Sequence, residues 1–209
     1  MVARLGRRPC ARGDEGIVLV EALLVMPIVL LAITVMVEFG VAVWHWNQTV
    51  KAVQVGARYA SVSSPMMTRA TYVAALQADY GTIPEGDPTP STPVSIACGS
   101  GTTACDSVLM DRLMTGGDGI CGSGSPRVGM CDVAPWIRTD NVLVTYTRSG
   151  LGYVGRPFGP VSTVTVELRN VNFGFLLLTT LIPTLSNYTL PPHRVSTTSE
   201  DLSNCKALC

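Results

Sequence analysis

At 209 residues the chain is long enough for one ordinary domain with a membrane anchor and too short for two full domains. Fifteen basic residues balance fifteen acidic ones, so there is no basic field of the kind that gathers on nucleic-acid-binding proteins. Only 14% of residues are charged against 47% hydrophobic, and much of the apolar content is concentrated in one run near the N-terminus.

Residues 1–16, MVARLGRRPCARGDEG, hold Arg4, Arg7, Arg8 and Arg12 and show no hydrophobic period. The apolar run IVLVEALLVMPIVLLAITVMVEFGVAVWHW follows over residues 17–46, and residues 22–37 within it carry no charge. From Ile17 to Trp44 a helix rising 1.5 Å per residue extends about 42 Å, ample for a hydrocarbon core of about 30 Å. Trp44, His45 and Trp46 read as an aromatic belt at its far boundary. Four arginines precede the run, against Lys51 and Arg58 just after it. The positive-inside rule then places the N-terminus in the cytoplasm and the rest of the chain beyond the inner membrane.

The helix is expected to continue past the bilayer. Val50, Val53, Ala57 and Ala60 recur at helical spacing, with Gln48, Lys51, Gln54 and Arg58 off that stripe. Pro65 is the stop, because the residue before a proline disfavours the helical region. One helix over residues 17–63 is therefore predicted, and a second, shorter one over residues 66–80, closed by Gly81. Residues 81–140 read as loop, rich in Gly, Ser and Pro around a short apolar VSIA. Two strands follow, in NVLVTYTRSG and VSTVTVELRNVNF. In the second, Val164, Val166 and Leu168 alternate with Thr165, Glu167 and Arg169, the pattern of a sheet with one buried and one wet face. The run FGFLLLTTLIPTL at residues 173–185 is interrupted by Thr179, Thr180 and Pro183 and is too short to span a membrane. Packing against the long helix is the expectation, with a membrane-surface contact as the alternative. The fold class is α+β: a long N-terminal helix packed on a small antiparallel sheet, with disulfide-bearing loops.

Cys10 precedes the apolar run, whereas Cys98, Cys105, Cys121, Cys131, Cys205 and Cys209 follow it. Six cysteines in Gly- and Ser-rich surroundings point to disulfides and so to an oxidising compartment, the same side of the membrane that the arginines indicate. The short, glycine-containing loops favour Cys98–Cys105 and Cys121–Cys131, while Cys205 and Cys209 can pin the tail or reach a partner subunit. No Cys-x-x-Cys occurs, and His45 and His193 stand far apart in sequence, so no metal or other cofactor is expected. No nucleophile–base signature, zinc-hydrolase motif or phosphate loop is present, and an enzyme is not expected.

The informative junction is Gly16-Ile17-Val18-Leu19-Val20-Glu21. A glycine closes a basic leader, the hydrophobic run begins at once, and a carboxylate stands five residues into it. This resembles a type IV prepilin signal, which a membrane aspartic peptidase cuts after the glycine. Glycine suits a site where the backbone must be taken up extended, without a side chain in the way. A carboxylate in a membrane helix is costly, which makes Glu21 a candidate for assembly: the new amine of Ile17 on one subunit would pair with Glu21 of its neighbour.

The resemblance extends further. Gly16, Val20-Glu21, Pro27, Glu38-Phe39-Gly40 and Gly56-Ala57-Arg58, together with the segment VTVELRNVNFGFLLLTTLIPTL, look like TadE-like minor pilins of tight-adherence (Tad) pilus systems. These regions cover about 70 residues; residues 81–140 and the six cysteines depart from the family pattern. The resemblance implies a cytoplasmic leader at 1–16, a transmembrane helix at 17–46 and a periplasmic or extracellular pilin-like domain at 47–209. It implies cleavage between Gly16 and Ile17. Glu38, near the outer end of the span, reads as an interfacial carboxylate with access to water, or as a candidate contact to a partner helix. The implied partners are a prepilin peptidase, other pilins or minor pilins, the inner-membrane assembly platform and the lipid bilayer, but no nucleic acid. The competing reading is an uncleaved, signal-anchored periplasmic protein that binds a partner.

Overall fold

The structure is a computed structural model that describes residues 15–122, 124, 126–156, 159–175, 177, 179 and 188–199. Cys10, Cys205, Cys209 and most of the leader lie outside the described residues, as does much of the apolar run at 173–185.

The first element, α1, is one helix of 48 residues, Glu15–Val62. It ends three residues before Pro65, and Ser61 and Ser63 turn their hydroxyls back onto the Arg58 and Tyr59 carbonyls at 2.8 and 2.7 Å. The second helix, α2, is shorter than its pattern suggests, Arg69–Leu76, because Thr68 caps it by accepting from the Thr71 N–H.

Four strands form an antiparallel sheet in the order β1 (Val94–Gly99), β2 (Val142–Arg148), β3 (Thr163–Leu168), β6 (His193–Thr198). A two-residue pair, β4 (Asn172–Phe173) with β5 (Tyr188–Thr189), stands beside it. Register aligns Cys98, Val144, Val166 and Val195 in one inward row, and Ile96, Tyr146, Val164 and Thr197 in the next. The outward face is hydroxylated, and Ser95–Thr147 and Thr165–Ser196 bond across strands at 2.8 Å each. The C-terminal third of α1 lies against β3 and β6 on the inward face. Its buried stripe is Thr49, Ala52, Val53, Gly56, Ala57 and Ala60, with Val50 only half-buried.

Residues 81–140 are not the loop that their composition suggests. They contribute β1, a helix α3 (Ser107–Thr115) and a single turn α4 (Met130–Val133). Helix α3 is bracketed by local signals: Asp106 accepts from the Val108 and Leu109 N–H groups at 3.0 and 3.1 Å, and Gly116 closes it in the left-handed conformation. Met110, Leu113 and Met114 are its buried face. Asp132 fixes the turn at α4, its two oxygens accepting from the Gly122 and Gly129 N–H groups at 2.7 Å each. Disulfides Cys98–Cys105 and Cys121–Cys131 close loops of 7 and 10 residues in the same region. Each is expected to stabilise the fold by about 2–4 kcal/mol.

Two buried tyrosines and one arginine tie distant segments together. Tyr146 accepts from the Met66 N–H at 3.0 Å, and Tyr72 reaches Ser162 at 2.9 Å and the Pro160 carbonyl at 3.2 Å. Burial pushes the Tyr72 phenol up to about 12 and raises that of Tyr146 further. Arg148 is fully buried at the end of β2. It grips both oxygens of Asp79 (2.8 and 2.6 Å) and the carbonyls of Pro90 (2.7 Å) and Thr92 (3.3 Å), fastening the segment after α2 to the end of β2.

Candidate functional site

The feature that sets this molecule apart from a soluble domain is the N-terminal two-thirds of α1. Apolar side chains from Ile17 to Trp44 point outward all round the helix, with Ile28 at 70% and Met36 at 75% exposure. Hydropathy averages 2.7 over the most apolar 18-residue window of Gly16–Val62, and none of that window is buried. Among the described residues, 16–33 are exposed on every side, and an apolar helix with that surface and length suits a bilayer. Pro27 lies inside it without ending it, and Thr34 donates back to the Leu30 carbonyl at 2.9 Å.

Gly16 is the second residue of the helix, with open space where a side chain would stand. Glu21 is exposed, little more than one turn further along. Glu38 is different: only 5% of it is exposed, and a carboxylate oxygen accepts a hydrogen bond from the Leu177 N–H. That bond joins Glu38 to its own chain across a separation of 139 residues, and Glu38 is buried rather than open to water.

One turn beyond Glu38 and further, three segments converge in an aromatic cluster. His45 packs at a tilt against Trp136 (4.1 Å between centroids) and Phe173 (4.8 Å), Trp44 lies 5.7 Å from Trp136, and Phe173 meets Phe175 edge-on at 5.3 Å. The Trp136 indole N–H donates to the Thr49 hydroxyl at 3.2 Å, and Trp46 meets His193 of β6 at 5.7 Å. The belt read from Trp44, His45 and Trp46 is therefore enlarged by Trp136 and Phe173. No local sequence signal foretells this, since the added rings come from remote segments. Between α1 and residues 172–177 lies a groove of about 850 Å³, lined chiefly by apolar side chains, with Glu38 in its wall.

The glycines divide in the same way as the helix. A side chain at Gly40 would meet nothing, whereas a Cβ on Gly56 would stand 2.5 Å from the Met130 sulfur. The close approach that Gly56 permits is to α4 of the same chain. Among the described residues no group of three or more His, Cys, Asp or Glu side chains gathers as a metal site.

Residues 16–58, about a fifth of the chain, match the family model TadE, described as TadE-like protein. No curated protein and no solved structure matches the chain. The matched span begins at Gly16, takes in Glu21, Pro27 and Glu38, and ends at Arg58, close to the end of α1.

Proposed function

From an N-terminal segment that is TadE-like over residues 16–58, we propose that this chain is a minor pilin or pseudopilin-like subunit of a tight-adherence pilus, structural rather than catalytic. The observation that carries the reading is the exposed apolar first part of α1, which has Gly16 at its start and Glu21 little more than a turn further on. Such a helix can hold a subunit in the inner membrane before assembly and pack against like helices in a filament afterwards.

In this reading residues 1–16 are a cytoplasmic leader, residues 17–46 the span, and residues 47–209 a domain on the oxidising side. A prepilin peptidase cuts between Gly16 and Ile17. The first helical turn must open for that, and the absence of a Cβ at Gly16 lowers the barrier to an extended backbone. The amine freed at Ile17 carries a positive charge that Glu21 of an adjacent subunit can neutralise. The pairing would set the axial register between helices and link processing to assembly on the inner-membrane platform with other pilins.

Intact-mass measurement of protein from cells with and without the peptidase tests this. Losing four arginines and two acidic residues from a neutral chain leaves residues 17–209 with a formal net charge of −2. The expected species in peptidase-positive cells begins at Ile17; a chain that keeps its leader there returns the protein to a signal-anchored partner-binding role. Glu21→Ala should spare insertion and cleavage but impair filament formation, read by electron microscopy of sheared surface material. Normal filaments in that variant would remove Glu21 from assembly.

A further inference from the structure

How deep α1 sits in a bilayer follows from which of its surfaces can tolerate lipid. The uncharged run over residues 22–37 covers about 24 Å, less than the roughly 30 Å of hydrocarbon. Apolar exposure does not stop at Val37: Phe39, Val41, Val43 and Trp44 all face outward, Phe39 at 68%. Placing Trp44 at the domain-side boundary immerses all of these, and about 30 Å back along the helix reaches Leu24, leaving Glu21 at the opposite interface. Glu38 then lies about 9 Å below Trp44, within hydrocarbon.

A bare carboxylate at that depth is costly. Here it is covered, and what covers it must share its depth. The Leu177 N–H binds the carboxylate, and Phe173 and Phe175 line the same groove as Glu38. The exchange is mutual, because irregular backbone within a bilayer also needs its polar groups satisfied. Leu177 itself is 55% exposed and presents an apolar side chain outward. The groove between this segment and Ile33, Val37 and Val41 opens alongside surfaces that already require lipid.

We infer that the segment bearing Phe173, Phe175 and Leu177 is a second membrane-embedded element, a wedge that enters the domain-side leaflet beside α1 with acyl chains against its apolar face. Glu38 is the positioning residue that holds it there. The wedge rests on α1 being a membrane span and is independent of the pilus assignment. It would fix the domain's tilt on the membrane by giving a single-pass protein two points of contact.

Photolabelling of the full chain in phosphatidylcholine–phosphatidylglycerol vesicles, with a diazirine on the acyl chain, tests the inference. Adducts mapped by mass spectrometry are expected at Phe175 or Leu177 at a yield comparable with that at Ile28–Met36, and not at Ser95 or Thr147 on the hydroxylated sheet face. Glu38→Leu should abolish labelling of the wedge while α1 stays labelled. Glu38→Gln keeps an acceptor oxygen and should retain it. Labelled α1 with an unlabelled wedge in the unmodified chain would overturn the inference alone, whatever the variants do. Loss of labelling from both would overturn it together with the membrane span.

Discussion

The two parts of α1 use the same backbone for opposite purposes. Toward the N-terminus the outward positions are Ile, Leu, Val and Met, and as far as Ile33 they are exposed on every side. Past Trp46 the buried positions become Thr49, Ala52, Val53, Gly56, Ala57 and Ala60, and the helix lies against a sheet and α4. Large side chains suit a helix whose surroundings are fluid, whereas small ones let a helix axis come close to a fixed surface. Residue size along one unbroken helix thus marks where its environment changes. The aromatic cluster of Trp44, His45, Trp136 and Phe173 stands at that change.

The comparison can be broken most strongly from the domain side. Replacing Cys98, Cys105, Cys121 and Cys131 by alanine should cost about 2–4 kcal/mol per bridge. Thermal unfolding followed by the near-ultraviolet signal of Trp136 should shift down sharply, while α-helical signal from the apolar part of α1 persists in detergent. Arg148→Met comes next. It leaves the Pro90 and Thr92 carbonyls without their donor and frees Asp79, whose side chain is already about a third exposed, at a cost of roughly 2–4 kcal/mol. Denaturant titration of the detergent-solubilised chain reads it.

A glycine pair sharpens the contrast. Gly56→Leu drives a side chain into the space of the Met130 sulfur and should destabilise the domain by about 1–3 kcal/mol. Gly40→Leu meets open space and should leave the domain's unfolding midpoint unchanged. Equal effects from both would mean that the boundary between the two environments is misplaced.

The smallest effect is on pH. The Tyr72 phenol is raised from 10.0 to about 12 in the folded protein by burial, and Tyr146 is raised by the same cause. A raised pKa stabilises the fold fully below the unfolded value near 10, and that contribution is lost as pH rises through the folded value. The melting temperature should therefore fall between pH 10 and 12, with no pH dependence from these groups below pH 9. Tyr72→Phe loses the Ser162 bond, about 1 kcal/mol, and should flatten the alkaline decline.

What was legible in the sequence was set by how local its cause is. Helix α1 could be read almost to the residue, because a long uncharged run and a 3.6-residue stripe accumulate evidence over many turns. Strands β2 and β3 were visible through alternation, and the two short cystine loops through spacing. Helix α3 escaped because its nine residues sit among glycines, although Asp106 and Gly116 bracket it as cap and stop. Strand β6, HRVSTT, is a sheet-edge strand whose burial depends on α1 and β3, so its own pattern is weak. Within the candidate site, Gly16 and Glu21 were marked by position relative to the apolar run. The bond between Glu38 and Leu177 was not legible, because a contact across 139 residues has no period or spacing to announce it.

The central claim is that one continuous helix serves lipid over its first part and a packed domain over its last. Hydrogen–deuterium exchange on the full chain in lipid nanodiscs tests it directly, with urea and reductant added in steps. Amides over residues 24–44 should stay protected throughout, while those over residues 49–62 should lose protection together with β2 and β3. Rapid exchange over residues 24–44 without denaturant, or loss of protection in both parts of α1 at the same step, would contradict the account.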